Sequence, residues 1–156
     1  MILDSGIPTS EAYAACVASP LFEDLETYSS AFLKRNRAHL LWYSIRWSED
    51  PLNHPTRRWE YPYTRERLAR ANGQRVLDAG SGVTFFPYYL MASNPGLTVT
   101  CCDRDGYVGE VYNKINRNHA HQVGFERCDL SALPFPDGTF DSIYCISVLE
   151  HTGNWE

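Results

Sequence analysis

No apolar run in this chain approaches the ~20 residues that a bilayer-spanning helix requires, and its start has no basic segment followed by an apolar core of the secretory type. Both absences point to a soluble, cytoplasmic protein. The five cysteines, Cys16, Cys101, Cys102, Cys128 and Cys145, are odd in number and show no CxxC spacing. A disulfide framework and a thiolate metal site are both disfavoured, and the cysteines read as small buried apolar residues kept reduced. Concentrated basic surface is lacking too. Fourteen Lys and Arg stand against nineteen Asp and Glu, for a net charge of −5. The basic residues cluster only at 34–37 and 65–70, where each group reads as a solvated helix face. Phosphate recognition needs a denser basic surface, so nucleic acid is not the expected partner.

What the sequence does contain is a globular composition, 44% hydrophobic and 21% charged, over 156 residues. That length suits one domain with an N-terminal extension. Residues 1–8 show no periodicity and read as a frayed start. Thr9 or Ser10 can cap a short helix through about Ala18. Ser19-Pro20 has the pattern of a second helix start, and Leu21, Phe22, Leu25, Tyr28, Phe32 and Leu33 recur at three- and four-residue spacing. The periodicity continues, with a break, through Leu40, Leu41, Ile45 and Trp47. Three prolines between residues 48 and 62 argue for an irregular connector. The boundary is therefore placed there, giving an extension or lid at 1–60 and a second domain at 61–156. Thr64 is expected to cap a helix over 65–71 that stops at Asn72-Gly73.

A regular alternation follows: strand 75–79, helix 85–93, strand 97–102, helix 107–117, strand 123–128 and strand 140–146. This β-α-β-α-β order predicts an α/β fold, a Rossmann-like parallel sheet with strands ordered 3-2-1-4, helices on both faces and ligands at the carboxyl ends of the strands. The stretch Arg75-Val76-Leu77-Asp78-Ala79-Gly80-Ser81-Gly82-Val83-Thr84 reads as a buried strand running into a glycine turn, followed by a helix. Free backbone N–H groups at such a turn suit a negatively charged or electron-rich group.

Four loops leave the strand ends, each with candidate polar groups. The first is Asp78-Ala79-Gly80-Ser81-Gly82. The second begins at Asp103, twenty-one residues beyond Gly82, where a carboxylate can grip a ribose diol, with Asp105 as runner-up. The third is Cys128-Asp129-Leu130, where Asp129 can accept from an exocyclic amine. The fourth is Ser147-Val148-Leu149-Glu150-His151. Any one of these alone reads as ordinary turn chemistry, and their coincidence at one sheet edge is what points to a site.

The pattern Val-Leu-Asp-Ala-Gly-Ser-Gly, then Asp103, then Asp129-Leu130, then Leu133-Pro134-Phe135-Pro136-Asp137-Gly138-Thr139-Phe140-Asp141 leading to Val148-Leu149-Glu150-His151, resembles class I S-adenosylmethionine-dependent methyltransferases. The last two runs look like the small-molecule and ubiquinone-biosynthesis-like branch. The resemblance covers about residues 64–152. It implies a methyl transfer from S-adenosylmethionine to a small-molecule acceptor, leaving S-adenosylhomocysteine. Gly80 and Gly82, with Ala79 and Ser81 beside them, would lie against the methionine part, and Asp78 would order the loop or hold the amino group. Asp103 would hold the ribose hydroxyls, Asp129 with Leu130 would frame the adenine, and Arg104 and Ser147 are counted with them as cofactor-binding. A general base is needed only for a protonated acceptor, and His151 is the one motif residue able to serve as a catalytic base. The family has a third glycine where this chain has Thr84, whose hydroxyl can instead cap the following helix.

A nicotinamide-dependent oxidoreductase is the weaker reading, because Phe85 stands where a dinucleotide fold needs a small residue. The alternative of a different class is a non-catalytic module binding S-adenosylmethionine or S-adenosylhomocysteine. The family fold has seven strands ordered 3-2-1-4-5-7-6, and the sequence reads as truncated after the fourth. An open fourth strand calls for cover by further chain, by a partner chain, by a homo-oligomer or by the N-terminal helices.

Overall fold

The computed structural model describes residues 3–43, 48–69 and 71–151. The chain divides into two compact units, Met1–Arg70 and Ala71–Glu156.

In the first unit, α1 is Ser10–Val17 and α2 is Pro20–Tyr43. Thr9 caps α1 by accepting from the Ala12 N–H, and the Ser19 hydroxyl accepts from the Phe22 N–H at 3.2 Å. The buried stripe of α2 is Phe22, Leu25, Ser29, Phe32, Asn36 and Leu40, at steps of three and four residues. No break interrupts this helix up to Tyr43; Ile45 and Trp47 lie outside the described residues.

The expected irregular connector holds over 49–56, with a short 3₁₀ turn at Pro51–Asn53, and is corrected from residue 57 onward by α3, Arg57–Arg67, which contains Pro62. A proline inside a helix leaves the carbonyl four residues earlier without its N–H donor. Here that carbonyl belongs to Arg58, and the Cys16 thiol approaches it at 3.7 Å. The Arg57–Glu60 pair at 3.1 Å supports the first turn. Thr64 thus lies near the end of a helix, where its carbonyl accepts from Leu68, and it starts no helix over 65–71. The unit boundary falls after Arg70 because α3 runs through residue 60. The start is also anchored: the Leu3 N–H donates to Glu66 at 2.6 Å, and Arg67 donates to the Leu3 carbonyl at 2.8 Å. Trp59 packs with Leu3 and Cys16, with Tyr63 against them, so these two aromatics belong to the core of this unit.

The second unit is a parallel sheet ordered β3-β2-β1-β4. Its strands are β1 (Arg75–Ala79), β2 (Thr98–Asp103), β3 (Gly124–Arg127) and β4 (Ser142–Tyr144), and its helices are α4 (Phe86–Ser93) and α5 (Tyr107–Asn116). The order and the crossovers are those expected from the sequence. β4 is shorter than the expected 140–146; among the described residues it pairs with β1 alone, and its Ile143 side chain is 61% exposed.

The register aligns Asp78 with Cys101 and Tyr144, and Ala79 with Cys102. Both helices of this unit lie on the Asp78 face. Tyr112 of α5 reaches Cys101, and Phe86 of α4 meets the Tyr144 ring edge-on at 5.6 Å. Helices on both faces were expected, but the opposite face, formed by Leu77, Ala79 and Cys102, is covered within this unit by Leu130, Phe135 and Phe140. At the end of α5, Asn116 clamps Val123 through both backbone groups, at 2.9 and 3.0 Å, and receives the Tyr88 hydroxyl at 2.7 Å. These bonds fix the height at which β3 enters the sheet. Among the described residues, no helix is long and apolar enough to cross a membrane.

Close packing of α5 on β3 requires Gly109, since a Cβ there would stand 2.3 Å from the Phe125 ring. Overfilling such a contact costs about 1–3 kcal/mol. Gly109→Val is therefore expected to lower the unfolding free energy by about that amount, read as a drop in the urea midpoint.

Candidate functional site at the carboxyl edge of the sheet

All four sequence-derived loops emerge at the carboxyl edge. β1 ends at Ala79 and the chain turns at once through Gly80 and Gly82, at φ 74° and 51°. Such left-handed conformations are adopted by glycine at little cost. The Gly80 and Ser81 N–H groups both donate to the Cys102 carbonyl, at 2.9 and 3.0 Å, and the Gly82 N–H donates to Asp103 Oδ2 at 2.9 Å. Further along, the Thr84 N–H reaches the Tyr112 hydroxyl at 3.4 Å, the Phe86 N–H reaches the Thr84 hydroxyl at 3.4 Å, and Pro87 has no N–H.

This arrangement corrects the expectation of a cradle for a negative group. The turn's donors at residues 80, 81, 82, 84 and 86 are taken up within the protein. What the edge offers outward is mainly carboxylate.

Asp103 joins the first two loops, because its Oδ1 also accepts from the Asp105 N–H at 3.0 Å. Each carboxylate oxygen keeps lone-pair capacity for a further donor. The neighbouring Arg104 side chain is exposed, and its carbonyl accepts from Arg127 Nε at 3.0 Å. Asp129 is exposed and accepts from both the backbone N–H and the hydroxyl of Ser131, at 2.9 and 2.8 Å. Those bonds, the backbone one first, hold its carboxyl below the usual aspartate value. Leu130 is half-buried against Leu77, Ala79 and Cys102. The Ala79 side chain belongs to this same apolar cluster, so only its backbone can face the edge.

In the fourth loop Ser147 has φ 49°, an uncommon conformation for a residue with a side chain. The turn brings Val148 onto Gly80. His151 closes a short 3₁₀ turn, Leu149–His151, by donating its N–H to the Val148 carbonyl at 2.8 Å, and its side chain is exposed.

Asp78 differs from the other acids. It is 5% exposed, and its Oδ2 accepts from the Tyr144 hydroxyl at 2.9 Å and from the Cys101 thiol at 3.9 Å. Burial is the largest cause that pushes Tyr144, Cys101 and Tyr112 well above their ordinary values, with the Asp78 charge adding to it. Tyr144, Cys101 and Tyr112 are the participants that motif reading missed. Strand alternation places three positions, Asp78, Cys101 and Tyr144, on one face, and that was the available signal.

Residues 77–156 match the family described as "Methyltransferase domain". The chain belongs to that family. The chain is 30% identical over 100 residues to an uncharacterized protein of Synechococcus sp., a match covering 60% of this chain and 24% of that one. Its fold resembles an S-adenosylmethionine-dependent methyltransferase from Mesorhizobium loti, with TM-score 0.47, 24% identity, and coverage of 55% of this chain and 38% of that one. It also resembles one from Aquifex aeolicus, with TM-score 0.48, 23% identity, and coverage of 60% and 52%. The chain thus spans about a quarter of the curated relative and between a third and about half of these solved structures.

At Gly80 a Cβ would stand 2.6 Å from Val148 Cγ1, in a conformation that side chains rarely adopt. Gly80→Ala is expected to cost about 1–3 kcal/mol, measured by chemical denaturation.

Proposed function

We propose that the carboxyl edge binds S-adenosylmethionine and that the protein transfers its methyl group to a small-molecule acceptor. The observation that carries this reading is the composition of the edge: Asp78 near the end of β1, Asp103 at the end of β2 and Asp129 just past β3 stand on three neighbouring strand ends, while the backbone donors of the glycine turn are already engaged. A cationic ligand with a ribose diol and an amino-substituted ring suits that set of acceptors. A diphosphate-bridged nicotinamide cofactor needs free N–H groups at the turn, so the same geometry disfavours it.

On this reading Asp103 holds the ribose hydroxyls through its remaining lone pairs, with Arg104 beside it. Asp129 accepts from the exocyclic amine, while Leu130 presents an apolar wall to the ring. Gly80, Ser81 and Gly82 present their backbone to the amino-acid end, where Asp78 supplies negative charge, and Ser147 stands across from them. The bound donor supplies an electrophilic methyl on sulfur with a neutral thioether as leaving group. The chain's own work is to align the acceptor with that methyl and keep water out. For an acceptor that must lose a proton, exposed His151 is the motif residue able to take it.

Asp103→Ala tests the assignment. Calorimetry should find S-adenosylhomocysteine bound by the unaltered chain and at least tenfold weaker binding by the variant, while unchanged affinity would reject the ribose role. Binding without turnover of any small acceptor would favour the non-catalytic module instead.

A further inference from the structure

We propose that Tyr144 is a positioning residue, whose hydroxyl fixes the Asp78 carboxylate against the amino-acid end of the ligand bound at the carboxyl edge. The inference rests on the S-adenosylmethionine reading and deepens it.

Five buried or half-buried groups form a chain of hydrogen bonds across one face of the sheet. The Thr84 N–H donates to the Tyr112 hydroxyl at 3.4 Å, Tyr112 is hydrogen-bonded to the Cys101 thiol, and that thiol donates to Asp78 Oδ2 at 3.9 Å. From the other side the Tyr144 hydroxyl donates to the same oxygen at 2.9 Å. The chain links the end of the glycine turn to β4, and those two loops also meet where Val148 covers Gly80. Of the two donors to Asp78 Oδ2, the phenol is the closer and the stronger.

Its direction is fixed. Burial holds the protons on Tyr144, Cys101 and Tyr112, so these groups donate and the carboxylate accepts. The Tyr144 ring is seated by strand register opposite Asp78 and by the edge-on Phe86 ring at 5.6 Å. A phenylalanine would fill the same volume, so the hydroxyl is what packing does not require. It restricts Asp78 to one orientation, which matters for a carboxylate that must meet a single ammonium group and does not matter for ribose or adenine.

That distinction supplies the test. S-adenosylhomocysteine carries the amino-acid end, and 5′-methylthioadenosine has the same nucleoside and sulfur without it. Calorimetry on Tyr144→Phe should show S-adenosylhomocysteine bound about tenfold more weakly and 5′-methylthioadenosine within twofold of the unaltered chain. Asp78→Asn should show the same selectivity, and adding Tyr144→Phe to it should weaken binding no further. Tyr144→His, which keeps a ring donor, should recover part of the preference and provides a second variant should the phenylalanine form not fold. Equal weakening of both ligands, or none, overturns the inference. An unaltered chain that binds 5′-methylthioadenosine and S-adenosylhomocysteine equally well overturns it while leaving the nucleoside site standing; binding of neither overturns the underlying reading as well.

Discussion

The carboxylate of Asp78 lies on a central strand of a parallel sheet, 5% exposed, and the rest of the second unit is arranged so that it can remain there. Taking a carboxylate out of water is tolerated only when its oxygens are supplied with donors. Register provides them: Cys101 and Tyr144 stand beside Asp78 on either neighbouring strand, on the face that α4 and α5 cover. The helices in turn seat the donors, with Phe86 against the Tyr144 ring and Tyr112 on Cys101. Sheet order and helix placement together supply the donors that this buried carboxylate requires.

The same constraint sets what the glycine turn can do. Because β1 and β2 stay paired up to Ala79 and Cys102, the Gly80 and Ser81 N–H groups close onto the Cys102 carbonyl, and Asp103 then captures the Gly82 N–H. A turn whose donors are used in this way acts as a spacer that lets two loops approach. Thr84 fits this account, since it has both a backbone donor engaged by Tyr112 and a hydroxyl that accepts from Phe86. A glycine would supply the first of these and not the second.

The sheet was legible in the sequence because each strand is a short apolar run between turn residues, and the alternation with helices left one topology. The candidate acids Asp103 and Asp129 stand where such runs end, and their position at the carboxyl edge was legible for the same reason. The face-sharing partners were not, because Cys101 and Tyr144 look like ordinary strand residues until register aligns them with Asp78. Residues 57–64 were misread because prolines dominated the local signal. Pro62 lies within a helix there, while Cys16 of α1, distant in sequence, approaches the carbonyl it leaves without a backbone donor.

Cysteine composition illustrates the same limit from the opposite side. An odd, unpatterned set of thiols reads as inert filling, and for Cys102, buried and pushed up to about 12 chiefly by desolvation, that description is sufficient. Cys101 is its neighbour in sequence and equally buried, yet it faces the other side of the sheet and donates to a carboxylate. The two differ by one step of strand alternation. Apolar burial and polar positioning are thus assigned here by register more than by residue type. The shared face of Asp78, Cys101 and Tyr144 is accordingly a stronger pointer to the chemistry of this edge than the glycine turn that first marks it.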